Sequence, residues 1–294
     1  DNMLVQQIIN GLTIGVIYAL VAMGYSLVFG VLRLINFANG AEYMLGAYLV
    51  FICISKFGFT PLLALPIAIL LLGVVGYLVD FIGLKRLRKT NAPRMAGLIS
   101  TLGIGTVIEN AIQIWFGTET KPFPNFFNFG NIVINSTVIS WAQIIIFIIC
   151  GLLMIVLSII VYKTKIGKSM LAVQQDQQCA KLMGVNVSFV ISATFVVAAM
   201  LACVAGALVG TYYQNIDTNM SFIAGMKTFA AAVLGGVGSL PGAMLGGIIV
   251  GLAEAIGASY ISSGYRDAIA FAILIFVLIV KPSGIFGKNN IDKM

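Results

Sequence analysis

The chain has 294 residues, of which 60% are hydrophobic and only 9% charged, and its formal net charge is +7. Soluble domains carry about 25% charged residues, so this composition excludes one, and the basic excess is gathered into short islands rather than spread as a nucleic-acid surface. Histidine is absent, which removes the commonest metal ligand and general base together.

A helix that crosses the hydrocarbon layer needs about 20 mostly apolar residues, because no backbone group can stay unpaired there. The amino end, Asp1-Asn2-Met3, has no basic n-region, so the first apolar run, Val5–Val31, is expected to be a retained span rather than a cleaved signal. Gly40–Ile54 and Pro61–Ile82 follow, then a basic island of Lys85, Arg86, Arg88, Lys89 and Arg94. Met95–Trp115 leads into residues 116–137, which carry Pro122, Pro124, asparagines and aromatics and suit a membrane-interface loop. Val138–Tyr162 ends at a second island, Lys163, Lys165, Lys168 and Lys181. Val187–Tyr213, Phe222–Val237, Gly242–Gly257 and Asp267–Val280 complete the apolar runs, before a tail with Lys281, Lys288 and Lys293. The expected fold class is therefore all-α, a polytopic membrane protein of eight or nine transmembrane helices, some of them short or broken at glycine.

The three islands hold 12 of the 17 basic residues. Loops kept on the cytoplasmic side carry the Lys/Arg excess, so 85–94, 163–186 and 281–294 are expected inside. Residues 116–137, 214–221 and 258–266 then fall outside, as does the amino end. Gly11/Gly15, Gly206/Gly210, Gly242/Gly246 and Gly247/Gly251 recur at four-residue spacing, which lets helix backbones approach closely. A brief match, Gly40-Ala41 before Met44-Leu45-Gly46 against Gly242 to Gly246, hints at paired short segments in the two halves. Gly235 to Gly242 is not a phosphate loop, since no Lys-Ser/Thr follows its last glycine and Pro241 stands where GxGxxG needs glycine; a tight turn between two helices is expected. The cysteines, Cys53, Cys150, Cys179 and Cys203, lack CxxC spacing and read as packing residues.

Two features invite a functional reading. In 163–186, Ser169 can cap a helix and Gly184 can end it in the left-handed conformation. Met170, Val173, Ala180, Leu182 and Met183 form a partial apolar stripe between those two residues, beside the polar run Gln174 to Gln178. Such a helix suits docking to a cytoplasmic protein, with a solvated connector as the alternative. Ionisable residues within spans are functional candidates because lipid penalises them. Glu109, with Asn110 and Gln113, is the deepest, while Glu42, Asp80, Lys227 and Glu254 sit nearer span ends. No two carboxylates share a span at helical spacing, so neither a proton relay nor a sodium site is indicated. Asp217 and the Arg266-Asp267 pair are expected on the outer face.

Three stretches carry a family resemblance. Gln178-Cys179-Ala180-Lys181-Leu182-Met183-Gly184 resembles a degenerate Glu-Ala-Ala-x-x-x-Gly loop of ABC importer permeases. Leu34-Ile35-Asn36-Phe37-Ala38-Asn39-Gly40 and the run from Gly225 to Ala243 resemble the LivH-type permease subunits of bacterial high-affinity branched-chain amino acid importers, a likeness running from about Ile8 to Gly287. It implies one transmembrane permease domain over residues 1–294, with a coupling loop at about 163–186 that meets an ATPase through Gln174, Asp176, Gln178, Cys179, Ala180, Lys181 and Gly184. Asn36, Asn39, Glu42, Glu109, Asn110 and Lys227 become candidate pathway residues. The implied partners are a homologous permease subunit, two cytoplasmic ABC ATPases, an extracytoplasmic substrate-binding protein and membrane lipid. The chain itself would be no enzyme and hold no cofactor or metal, ATP and Mg2+ being bound by the partner ATPases, and its place would be the bacterial inner membrane. Departures are that Asn39, Gly40 and Ala41 stand where the family has His then Gly-Glu, and Gln178 where it has an acid. The first leaves urea, short amides or other amino acids as alternative substrates. An ion-coupled secondary transporter, expected to show paired midplane charges, and a membrane-embedded enzyme are the competing classes.

Overall fold

The computed structural model describes residues 2–90, 92–124, 130–134, 137–260, 263–281 and 284–286. Its helices are α1 (Asn2–Leu32), α2 (Ala38–Ser55), α3 (Pro61–Leu78), α4 (Lys85–Lys89), α5 (Arg94–Phe116), α6 (Trp141–Lys163), α7 (Lys165–Gln175), α8 (Gln177–Leu182), α9 (Val187–Tyr213), α10 (Met220–Gly235), α11 (Leu240–Tyr260) and α12 (Arg266–Val280). Four short strands accompany them: β1 (Lys121–Pro122), β2 (Asn131–Ile134), β3 (Thr137–Ser140) and β4 (Asn215–Ile216). β1 pairs antiparallel with β4, and β2 with β3.

Among the described residues seven helices are long and apolar enough to cross a membrane, with Met220–Gly235 a shorter apolar helix. The protein is a polytopic, helical membrane protein. One expectation is corrected: Gly242–Gly257 is not a short segment but lies within the 21-residue α11. The short helices are α10 and α12, of 16 and 15 residues.

α1 is the central post, with 94% of its apolar window buried inside the protein. Its glycines explain how it sits there. A Cβ added at Gly11 would meet Ala255 Cβ and Leu252 Cα at 2.9 Å, and one at Gly15 would meet Ile248 Cα at 2.9 Å. The α1 and α11 backbones therefore touch, a packing that membrane helices reach through small residues when hydrophobic burial cannot drive association.

The basic islands collect at one end. Leu84 and Leu87, beside the first island, share a core cluster with Met170, Val173 and Ala180 of the second and with Val28 and Val31 of α1. The tail turns back there too, Ile285 and Phe286 donating their backbone N–H groups to Leu234 O and Gly235 O. At the opposite end Gln6 exchanges hydrogen bonds with the Val138 backbone, and β1 pairs with β4. Lys288 and Lys293 lie outside the described residues, as do parts of the 116–137 and 258–266 stretches.

Three local structures depart from simple crossing helices. After Arg33, left-handed at φ 52°, the chain climbs along α5: Leu34 lies at Gly97 and Ala38 at Gly105. The connection over residues 33–37 is irregular and ends in a turn at Phe37, whose φ of −73° and ψ of −13° already lead into α2. α2 consequently starts inside the protein. Second, α3 continues through a π-helical stretch, Val79–Leu84, into α4. Its Asp80, fully buried, pairs with Arg88 and accepts a 2.5 Å hydrogen bond from Ser192 Oγ.

Third, 163–186 is not one helix capped by Ser169. Thr164 caps α7 by accepting the Gly167 N–H, while Ser169 sits inside the helix with its hydroxyl on Lys165 O. Asp176 then breaks the helix in an extended conformation and caps α8, its Oδ1 accepting the N–H groups of Gln178 and Cys179 at 2.7 and 3.0 Å. An exposed aspartate bonded to its own backbone competes with helix continuation and favours a new start. Gly184 is left-handed at φ 83°, as expected.

Candidate pathway and docking sites

At the end opposite the basic islands, α10, α11 and α12 bring four charges together. Lys227 of α10 lies 3.1 Å from Glu254 Oε1 of α11 and 2.6 Å from Asp267 Oδ1 at the start of α12. Arg266 Nε lies 3.2 Å from the same Glu254 oxygen, and an Arg266 terminal nitrogen donates to the Tyr213 hydroxyl at 3.2 Å. The side chains of Lys227 and Glu254 are 5% and 1% exposed, while Arg266 and Asp267 reach solvent. Burial of a charge is tolerated when it is paired, and this pairing explains why two ionised groups persist within apolar helices. Glu254 Oε2 is buried and accepts no hydrogen bond.

These groups line a cavity of about 240 Å³. Tyr18, Tyr43 and Tyr213 contribute aromatic walls, Ile14, Ile216 and Met220 apolar ones, and Asp217 a further carboxylate near the mouth. Lys227 was legible as a candidate. Glu254, Arg266 and Asp267 each stood out as an ionisable residue, but no spacing links residues from three helices, so their meeting was not.

The other pathway candidates lie elsewhere. Asn36, Asn39 and Glu42 surround the buried start of α2, at 1%, 1% and 0% exposure. Asn36 Oδ1 accepts the Ala38 N–H at 3.1 Å and so fixes that start. The Asn36 amide nitrogen, both polar atoms of Asn39 and both carboxyl oxygens of Glu42 have no hydrogen-bond partner. They are buried and do not line the cavity. Glu109 is half-buried on α5 and Asn110 is exposed, with its amide on Thr106 O. Gln113, on the same face, reaches Thr218 Oγ1 at 3.4 Å. The structure does not bring Glu109 to Lys227.

At the basic end, α7 and α8 are anchored by glutamines that read as free surface in the sequence. Gln174 Nε2 donates to Gly238 O at 3.1 Å, and Gln177 Nε2 to Val31 O at 2.9 Å. Gln174 therefore faces the α10–α11 turn, and Ala180, 5% exposed, belongs to the core. Gln178, Cys179, Lys181 and Gly184 are exposed, and Leu182 and Met183 stand out at 86% and 84% exposure. Beside them lies a groove formed by Lys165, Ile166, Ser169, Met183 and Phe189. The backbone N–H groups of Cys179 and Gln178 hold the Asp176 carboxyl below its ordinary range, and its hydrogen bond to Asp176 raises the Cys179 thiol.

The turn between α10 and α11 shows why Gly235 to Gly242 is glycine-rich. Cβ atoms at Gly235 and Gly242 would collide with each other's carbonyls, and Gly236 and Gly238 have φ of 103° and 89°. The long motif thus serves helix packing and a turn that only glycine can make.

Residues 7–278 match the family described as branched-chain amino acid transport system / permease component. Among individual proteins, the chain is 38% identical to the high-affinity branched-chain amino acid transport system permease protein BraD of Pseudomonas aeruginosa, over 98% of this chain and 97% of BraD. It is also 38% identical to LivH of Escherichia coli K12, over the same shares. The permease protein LivM of the same strain is 22% identical, over 93% of this chain and 68% of LivM. These relatives are transport permeases rather than enzymes, and the chain belongs to the permease-component family of branched-chain amino acid transport systems.

Proposed function

We propose that this chain is the permease subunit of an ATP-driven ABC importer for leucine, isoleucine and valine in the bacterial plasma membrane. Full-length similarity to BraD and LivH carries the reading. The subunit forms half of a translocation pathway with a homologous permease, for which the LivM likeness is the support. Of two cytoplasmic ATPases, which bind ATP and Mg2+, one docks on α8 and the exposed Leu182 and Met183 at its end, and an extracytoplasmic binding protein delivers substrate to the cavity end.

Within this scheme the sites divide. The outer cavity receives substrate, and Lys227, paired with Glu254 and Asp267, helps to shape it. Asn36, Asn39 and Glu42 line the path once the helices part, since their unmet hydrogen-bonding capacity is satisfied only when water or substrate enters. Glu109 and Asn110 face the second permease rather than lipid, because polar groups in membrane helices turn toward protein or water.

Co-expression with the partner permease, ATPases and binding protein, followed by reconstitution, tests the reading. Leucine uptake is expected to require ATP and the binding protein. Uptake driven by a proton or sodium gradient alone overturns the mechanism, and transport of urea or short amides in place of leucine overturns the substrate.

A further inference from the structure

We propose that the outer cavity is itself a low-affinity binding site for a zwitterionic α-amino acid, in which Arg266 holds the carboxylate and Asp217 and Asp267 the ammonium. This rests on the importer reading and adds to it that the permease, and not the binding protein alone, recognises both charges of the substrate.

Hydrogen-bonding capacity points to such a ligand. A guanidinium has five N–H donors; one terminal nitrogen of Arg266 serves Tyr213 and its Nε faces Glu254, so donors remain for a carboxylate, which arginine binds in a forked geometry. Lys227 engages only Oδ1 of Asp267, and Asp217 spends Oδ1 on the Met220 N–H that begins α10. Each acid keeps an oxygen for an ammonium group. Glu254, which also lines the cavity, has its Oε2 buried and outside the ion pairs to Lys227 and Arg266, which fall on Oε1.

Charge balance and shape agree. Lys227 and Arg266 set two positive charges against Glu254, Asp267 and Asp217, so a ligand with one carboxylate and no ammonium would add to an existing negative excess. A lone ammonium would offset that excess but leave the unspent guanidinium donors of Arg266 without an acceptor, which the carboxylate of a zwitterion supplies. The aliphatic part of the ligand meets Ile14, Val209, Ile216, Met220 and Ile223. At about 240 Å³ the cavity falls below the roughly 300–1,000 Å³ of drug-sized sites, a size for one small molecule.

The test uses the assembled complex in lipid nanodiscs without binding protein, titrated with leucine, leucinamide (ammonium only) and 4-methylpentanoate (carboxylate only) under ligand-observed NMR. Leucine is expected to bind in the millimolar range, and each single-charge analogue at least tenfold more weakly. Arg266→Gln should weaken leucine at least tenfold and leave leucinamide unchanged. Asp267→Asn and Asp217→Asn should weaken leucine and leave 4-methylpentanoate unchanged. Both positions reach solvent, the melting temperature of each variant shows that it is folded, and Arg266→Lys, which keeps the charge but not the fork, should weaken leucine less than Arg266→Gln does. No binding of leucine, or loss of all three ligands alike in every variant, shows a structural clasp and overturns the proposal. ATP- and binding-protein-dependent uptake by the unaltered complex is measured in parallel. Its absence sinks the importer reading, whereas its presence without the charge-matched pattern sinks this proposal alone.

Discussion

Lys227→Met isolates what the outer charge cluster contributes to folding. The lysine side chain is 5% exposed and is the contact through which α10 joins Glu254 on α11 and Asp267 on α12. Breaking a buried ion pair by removing one partner costs about 3–5 kcal/mol, because the remaining charge stays buried. Here Glu254 keeps Arg266 at 3.2 Å, and Asp267, half in solvent, returns to water at little cost. The expected loss is therefore at the low end, about 3 kcal/mol. At about 2 °C per kcal/mol for a chain of this length, the melting temperature falls by about 6 °C. Adding Glu254→Gln removes a buried carboxylate left with one of its two cationic partners, so the double variant should recover part of the loss, with a coupling of about 2 kcal/mol between two residues in direct contact. Cys53, Cys150 and Cys203 are buried free thiols, and a thiol-reactive dye that lights up as they are exposed follows the melt in detergent. Glu254→Gln alone completes the cycle. Strictly additive shifts would mean that Lys227 and Glu254 do not sense each other, and the account of why both persist inside apolar helices would fail.

Three further outcomes follow from the geometry. Gly251→Leu should lower stability by about 1–3 kcal/mol, the range for overpacking, since any side chain there runs into the α1 backbone at Gly15; the same melt reads it, and an unchanged midpoint would refute the close approach. Leu182→Asp with Met183→Asp should abolish co-purification of the ATPases while leaving the melting temperature of the permease within about 1 °C, because exposed substitutions cost little. Asp176→Ala should speed maleimide labelling of Cys179 at neutral pH, because the hydrogen bond that raises the thiol is lost and more thiolate forms. In the unaltered chain the folded carboxyl titrates below its ordinary value of about 3.9. The α8 cap is then fully present above that pH and is lost only as pH falls through the lowered folded value, which amide exchange at Gln178 and Cys179 reports.

The span positions, and the gathering of the basic islands at one end, were legible because each rests on a local cost. Lipid rejects unpaired backbone and loose charge, so the apolar runs and the lysine islands had to alternate along the chain. The close-packed glycines were legible for the same reason: Gly11/Gly15 and Gly247/Gly251 repeat at helical spacing, and the structure sets the two pairs against each other. The sequence was silent where partners lie far apart along it. Gln174 and Gln177 have the composition of solvated surface, and only the fold brings Gly238 O and Val31 O within their reach. The break at Asp176 was hidden because an aspartate within a polar run fits both a helix surface and a cap. The climb from Leu34 to Ala38 has no periodic signature, being irregular chain held against α5 by tertiary contacts, including the Phe37 N–H at 3.4 Å from Thr101 Oγ1.

The same contacts join the two ends of the protein mechanically. Gln174 ties α7 to the α10–α11 turn, whose glycines let the two helices interlock over Gly235, Gly242 and Gly246. A helix pair packed backbone to backbone has little room to shear, since interiors at this density move as units. From that turn α10 carries Lys227 and α11 carries Glu254 to the outer cavity, and α11 is further locked to α1 through Gly247 and Gly251. A displacement of α7 and α8 at the basic end therefore reaches the charge cluster through one stiff hairpin. Glu254 and Lys227 sit on different arms of it, while their remaining partners, Arg266 and Asp267, stand on α12. Any tilt of the hairpin against α12 must stretch the Lys227–Asp267 and Arg266–Glu254 pairs while leaving Lys227–Glu254 intact, which makes the two pairs to α12 the contacts most directly exposed to motion of the hairpin.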